Sequence, residues 1–421
     1  MNNMNRIRGR ARMAGRIWAV LLAGAALSGC DAMDKLLEVE TPALIPAANL
    51  EGPQHATLLL NGAIGDFEAA FTGHILQSSF MGGELYDATS TANRWLIPAR
   101  TVTNIDTRYN DQSYTPLSRA RWTADNILKL LQGWSDADVA DRQLKIATAA
   151  VYSGFSLVLL GESFCTLAID LSAEMQPAAV FQKAEERFTN AITAAQAAGS
   201  SGTKWLNAAY VGRARARLDL GNGAGASADA ALVTTGFRFD ATYSSAATRR
   251  YNALWDETRT GYVSVTEPFR NLTVGGVADP RVAVVDQKRN GWDALTPLWN
   301  QTLYTSWASP IPIARWEEAQ LIVAEVAGGT TAVTIINNLR SRRGLPATYT
   351  GGTAAEIKAQ VIDERRRELF LDGHRLGDLR RYSLPLFPAV GLPYPKGGNY
   401  GDRTCFPLPN VEIQANPNIS K

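Results

Sequence analysis

Three cysteines and three histidines in 421 residues leave little for metal or redox chemistry. Zinc ribbons, ferredoxin-type clusters and disulfide scaffolds need spaced sets of those ligands, and the sequence carries none. No metal and no cofactor is expected. Charge is also sparse: 19% of residues are Asp, Glu, Lys or Arg, and the formal net charge is +2. A nucleic-acid binder needs a basic footprint to displace counterions, and that class is set aside. Past residue 27 no run reads as the roughly twenty apolar residues a membrane-crossing helix needs. What the chain does have is 46% hydrophobic residues and enough length to bury a sizeable core, which excludes disorder.

The N-terminus is read as a targeting segment. Arg6, Arg8, Arg10, Arg12 and Arg16 precede an apolar run from Ile17 to Leu27, too short to span a bilayer. The run ends in Leu27, Ser28, Gly29 and Cys30, which resembles the lipobox of bacterial lipoproteins. Residues 1–29 are therefore expected to be a lipoprotein signal peptide, with Cys30 the lipidated (palmitate-bearing) new N-terminus and the only membrane anchor. Three acyl chains exceed the roughly two needed for stable anchoring. Cleavage removes five arginines and no acid, leaving 37 basic against 40 acidic residues, net −3. Cys165 and Cys405 then remain in an exported, oxidising setting, which favours one bridge over two buried, unreacted thiols.

Helical periodicity dominates the rest. Helices are expected at about 52–71, 116–132, 138–160, 177–198, 204–220, 224–233, 314–327, 331–343 and 354–381, with Pro116 and Pro177 at tolerated first-turn positions. Ala149, Gly154, Leu160 and Gly161 match Ala209, Ala214, Leu220 and Gly221, each 60 positions on. Each such helix is expected to end at its glycine and be followed by an Ala-rich amphipathic partner, with Phe188, or Ala226 and Ala230, facing inward. This pattern predicts an all-α fold of tetratricopeptide-like helix pairs sharing one continuous core over residues 30–421.

Two irregular inserts interrupt it, at about 74–115 and 236–312, rich in Thr, Ser, Gly, Pro and aromatics. The second holds Trp255, Trp292, Trp299 and Trp307, four of the ten tryptophans, with Tyr243, Tyr251, Tyr262 and Tyr304. Flat rings in irregular sequence suit a ligand face, because they stack on the apolar faces of sugars and serve equally in protein interfaces. Trp292, Trp299, Tyr304 and Trp307 are the leading candidates, with Trp95 from the first insert. The alternative for any one of them is a packed core position.

The last third is more specific. Arg315-Trp316-Glu317-Glu318-Ala319 through Ala324-Glu325, then Asn337 to Leu345, resembles a helix pair of the RagB/SusD family of outer-membrane nutrient-binding lipoproteins. Glu364-Arg365-Arg366-Arg367-Glu368-Leu369-Phe370 with Asp372-Gly373-His374-Arg375 and Asp378-Leu379-Arg380-Arg381 is similar to that family's most recognisable helix. Phe406-Pro407-Leu408-Pro409, Glu412 and Asn416-Pro417-Asn418 are similar to its terminal motif. Asp372 stands where Glu is usual, and Gly328-Gly329 shortens a commonly longer helix. The charges of residues 364–381, spaced at three and four, are read as helix-surface pairs, a structural role rather than a catalytic one for Glu364 and Arg367.

The resemblance implies a lipid-anchored protein on the outer face of the outer membrane. It would bind oligosaccharide, or peptide in some members, and pass it to a SusC-like TonB-dependent transporter. No enzyme is expected. Gly161-Glu162-Ser163-Phe164-Cys165 lacks the last glycine of a nucleophile elbow and follows a helix. Gly221-Asn222-Gly223-Ala224-Gly225-Ala226 reads as a turn between helices, not a dinucleotide fingerprint. His55, His74 and His374 form no metal-binding pair. A surface hydrolase and a helical-repeat protein-interaction module are the competing classes. The anchor is testable directly: the membrane-extracted protein should yield an acylated N-terminal peptide beginning Cys30-Asp31 by mass spectrometry, and Cys30→Ala should be neither processed nor membrane-bound.

Overall fold

A computed structural model describes residues 51–246 and 249–420. Cys30 and the signal segment lie outside the described residues. The first six long helices, α1 (Ala56–Met81), α2 (Thr115–Gly133), α3 (Arg142–Ser163), α4 (Pro177–Ala197), α5 (Thr203–Asp219) and α6 (Gly223–Ala231), pack largely each against the next. This is the expected array of helix pairs, and aromatic rings set its spacing. The buried Phe188 of α4 sits between Gly154 of α3 and Gly212 of α5, where an added Cβ would come within 2.7 and 2.2 Å of the ring. The two glycines matched by the repeat do different jobs. Gly161 lies inside α3, not at its end, beneath the ring of Phe181, whereas Gly221 closes α5 at φ +77°. Asn222 then caps α6 by accepting from the Gly225 amide at 3.0 Å, so the glycine-rich stretch is a helix-to-helix turn.

Helix α3 corrects one reading of the sequence: it is long and apolar enough to cross a membrane. Every residue from Ile146 to Ser163 is buried, which marks it as the core helix of this array. Helix α1 likewise runs ten residues beyond its expected end at Phe71 and into the expected first insert. From Ala70 to Met81 it is buried almost all round, so it lacks the polar face that makes helical periodicity visible.

The inserts carry short helices and strands. A π-helical turn spans Asn110–Tyr114, and α7 spans Ala253–Thr260. The strands are β1 (Leu85–Asp87), β2 (Arg238–Ala241), β3 (Val263–Val265), β4 (Thr273–Val274), β5 (Val277–Ala278), β6 (Val284–Asn290), β7 (Pro297–Gln301) and β8 (Ile311–Arg315). They pair only as antiparallel two-stranded ladders, β1 with β3, β2 with β8, β4 with β5 and β6 with β7.

The C-terminal third comprises α8 (Trp316–Ala327), α9 (Gly329–Arg342), α10 (Ala354–Glu368) and α11 (Arg375–Arg381). Helix α10 starts at a capping box of Thr353 and Glu356. The single helix expected over 354–381 is broken, because Leu371 and Gly373 adopt φ of +57° and +89°. The turn between the two pieces is held by the rest of the protein: the Leu371 amide donates to Glu84 at 3.1 Å, and its carbonyl accepts from the Tyr304 hydroxyl at 3.2 Å. Arg366 and Arg367 do pair with Asp363 one turn back, at 2.6 and 2.7 Å, but other charges of this segment turn inward. Glu364 is fully buried and accepts from Arg281, Arg340 and Gln360, while Arg365 pairs with Asp378 at 3.0 Å. Burying such groups is tolerable only when each is paired and hydrogen-bonded.

His374 sits in the same network, its Nδ1 2.8 Å from Asp372 and its Nε2 3.0 Å from Glu318. Burial and nearby Arg215 press its pKa down, but Glu318 and Asp372 outweigh them and raise it to about 9.

The C-terminal end of α3 is tied to the C-terminal tail by Cys165–Cys405, whose Cα atoms lie 5.1 Å apart. On either side, the Cys165 amide donates to Phe406 O at 2.9 Å and the Phe406 amide to Ser163 O at 2.8 Å. Arg380 adds three hydrogen bonds from Nη1 to the carbonyls of Gly161, Glu162 and Phe164, satisfying acceptors that the end of α3 leaves free.

Two outcomes follow for stability. Replacing both Cys165 and Cys405 by Ala should cost about 2–5 kcal/mol in urea denaturation, because the bridge closes a very long loop in the unfolded chain. For His374, a base with a raised folded pKa holds its proton preferentially in the folded state. Its stabilisation is complete below the unfolded value, near 6.5, and is lost as pH rises through about 9. The stability gap between wild type and His374→Gln should therefore be widest below that lower value and narrow across this window.

Candidate functional site

Two of the exposed tryptophans, Trp292 and Trp307, lie around α7 and the tip of the β6–β7 hairpin, while a third, Trp122, 55% exposed, lies on α2. The hairpin tip is tightly fixed. Asp293 accepts from the amides of Leu295 and Thr296, both at 2.9 Å, and from the Thr296 hydroxyl at 2.7 Å, and its own amide donates to Ala88 O at 2.9 Å. Those hydrogen bonds hold its carboxyl below the usual range despite the partial burial that opposes them. Gly291 is required here: a Cβ would stand 2.5 Å from that of Ala88.

On this tip Trp292 is 65% exposed, yet its ring is braced. Its Nε1 donates to Thr260 O, at the end of α7, at 2.7 Å, and it meets Tyr262 edge-on at 5.4 Å. Four residues back along α7, Asp256 accepts from Trp307 Nε1 at 2.9 Å, and Arg259 lies 4.6 Å over the Trp307 ring. Trp307 is 38% exposed. Trp307 is thus held by a side chain of α7 and Trp292 by a backbone carbonyl at its C-terminal end. Between them, Glu257 takes both ends of the Arg94 guanidinium at 3.1 and 2.6 Å.

Trp95 joins the group through Lys396. The Lys396 ammonium lies 5.5 Å from the Trp95 ring centre and 3.0 Å from Asp293, the residue after Trp292, and donates to Thr89 O at 2.8 Å. Trp95 itself donates from Nε1 to Thr89 O at 3.0 Å. Beside it a cavity of about 240 Å³ is lined by Tyr86, Leu295, Tyr394, Lys396 and Tyr400. Tyr394 and Tyr400 meet edge-on at 5.1 Å. Sequence reasoning missed Tyr394, Lys396 and Tyr400. The signal that found the other rings, aromatics in a Gly- and Pro-rich stretch, was present at 388–401 as well.

Two of the candidate residues lie elsewhere. Trp299 on β7 is half-buried against the core, with Arg270 5.1 Å over its ring. Tyr304 is only 6% exposed; its hydroxyl is spent on Leu371 O, and its ring borders a separate, arginine-rich cavity. Ser163, from the incomplete nucleophile elbow, is buried at the end of α3, 3.4 Å from His74 Nε2. Burial, with Arg215 nearby, drives the His74 pKa down to about 3, so that ring is neutral. Among the described residues no three His, Cys, Asp or Glu side chains come together as metal ligands.

Residues 309–421 match the SusD family. That match covers the last 113 of the 421 residues. The fold agrees. A SusD superfamily protein from Bacteroides fragilis superposes with a TM-score of 0.67 at 17% identity, covering 88% of this chain and 99% of that one. One from Bacteroides vulgatus gives 0.69 at 14% identity, with 87% and 98% covered. A laminarin-binding SusD-like protein gives 0.63 at 16% identity, with 87% and 98% covered. No curated protein is similar enough in sequence to match.

Proposed function

We propose that this RagB/SusD-family chain is a lipid-anchored, surface-exposed outer-membrane protein that captures oligosaccharide on the aromatic face around α7 and hands it to a SusC-like TonB-dependent transporter. The observation that carries the binding step is the pair of indoles, Trp292 and Trp307, exposed to solvent yet each fixed by a hydrogen bond from its own N–H. Large rings left in water cost hydrophobic free energy, and holding them rigid removes the ordering penalty that a ligand would otherwise meet. Trp95 is half-buried against the buried Tyr394 and Tyr400, and the ion pair of Lys396 and Asp293, both side chains 5% exposed, braces it from within. Similar structures described as a laminarin-binding SusD-like protein and a SusD-like carbohydrate-binding protein from Bacteroides vulgatus support a glycan as the ligand. Anchor, surface location and transporter rest on the lipobox ending in Cys30 and on the family resemblance. Binding is the whole of the chemistry proposed.

The test separates ring from core. Trp292→Ala and Trp307→Ala should each weaken binding of laminarin-type oligosaccharides severalfold by calorimetry, since a stacked ring contributes about 1 kcal/mol beyond its buried area. Their melting temperatures should stay near wild type. Tyr304→Ala should do the reverse, lowering stability by about 3–5 kcal/mol, as for loss of a buried aromatic. Affinity lost only in step with stability would remove the aromatic face as the site.

A further inference from the structure

A second cavity, of about 450 Å³, opens between β2, β8, the loop after β7 and the end of α10. Its size falls within the range of small-molecule sites. Four arginines line it, Arg238, Arg281, Arg315 and Arg343, against two carboxylates, Glu368 and Asp372. The remaining walls are apolar: Pro280, Pro310, Pro312, the Tyr304 ring, and Phe370, itself stacked on Phe269 at 4.9 Å.

The arginines are not equally occupied. Arg281 is saturated by Asp279, at 2.9 and 2.8 Å, and by Glu364 at 2.5 Å. Arg315 reaches Asp372 at 2.7 Å and the Glu368 carbonyl, and its Nε is sealed from solvent and out of a ligand's reach. Arg343 meets Glu368 through Nη2 alone, and Arg238 spends only Nε, on Asp240 at 2.8 Å. The carboxylates of Asp240, Asp279 and Glu364 balance the lining charge, so what the cavity offers is the spare Nη donors of Arg238 and Arg343 beside apolar walls.

We propose that this cavity binds the carboxylate of a small organic acid of monosaccharide size, of the uronic-acid class. Planar guanidinium groups pair with carboxylate oxygens in a matched geometry, and the proline and aromatic walls suit the ring such an acid carries. The Thr305 side chain at the lining offers a hydroxyl to a sugar, whereas Ser309 Oγ already accepts from the amides of Thr305 and Ser306. An inorganic anion would leave the apolar walls unused. This site is separate from the indoles on α7 and does not depend on them.

Calorimetry with glucuronate, galacturonate, glucose and acetate tests the assignment. The uronates should bind, and glucose should give no heat up to about 1 mM. Acetate should bind at least tenfold more weakly than the uronates, since it lacks the ring. Arg238→Gln, at a half-exposed side chain, should weaken uronate binding severalfold, and Thr305→Trp, which fills the mouth from an exposed position, should abolish it. Both variants should keep the wild-type melting temperature. Trp292→Ala should leave uronate affinity unchanged while it weakens the neutral oligosaccharide, so the two sites fail independently. Equal binding of glucose and glucuronate, no uronate binding at all, or uronate binding that survives both cavity variants would overturn the proposal.

Discussion

Everything in this protein leans on helix α3. Because it is apolar nearly all round from Ile146 onward, that part must be enclosed, by α1, α2 and α4 along its length and by the C-terminal segment at its end. That requirement explains why the tail returns to the helical array. The end of α3 would expose free carbonyls in a buried setting, and Arg380, the paired strand-like contact of Phe406 and the Cys165–Cys405 bridge all converge there. The helical pairs and the family-specific C-terminus are thus one packing problem, solved at one point.

The break between α10 and α11 shows how the inserts are coupled to that core. Leu371 takes a left-handed conformation, and the turn is kept by Glu84 from the first insert and Tyr304 from the second. Burial, only partly offset by these hydrogen bonds, raises the Glu84 pKa to about 7. Arg281, on the short turn before β6, reaches Glu364 on α10. The aromatic face is therefore carried on loops whose roots are fixed in the charged interior of the C-terminal helices, which suits a surface that must present rings without reorganising.

Much of this was legible in the residues. Amphipathic helices with turn signals, such as α4 and α10, were placed within a residue or two at their starts, since one polar face makes the period visible. Helix α1 beyond Phe71 was not, because a helix buried on all sides has no period to read. The strands were invisible for a different reason: β1 and β2 are short and pair with the distant β3 and β8, and of the local hairpins β4–β5 has two residues a side and β6–β7 an irregular register. Of the candidate rings, Trp292 and Trp307 stand exposed, whereas the same criterion also selected Tyr304, which the turn at Leu371 draws inside. Aromatic density in irregular sequence shows that rings are needed, but which of them face water is decided by tertiary partners such as Lys396 and α7.

The three braced indoles have one more consequence. Trp95, Trp292 and Trp307 each commit their only N–H to the protein, to Thr89, Thr260 and Asp256. They bring area without direction. In the proposed complex a sugar is sensed through its C–H surface, so a stereocentre matters to the rings where its inversion sets a hydroxyl in place of a C–H against them. Hydrogen bonds to individual hydroxyls would have to come from groups other than the three indole N–H.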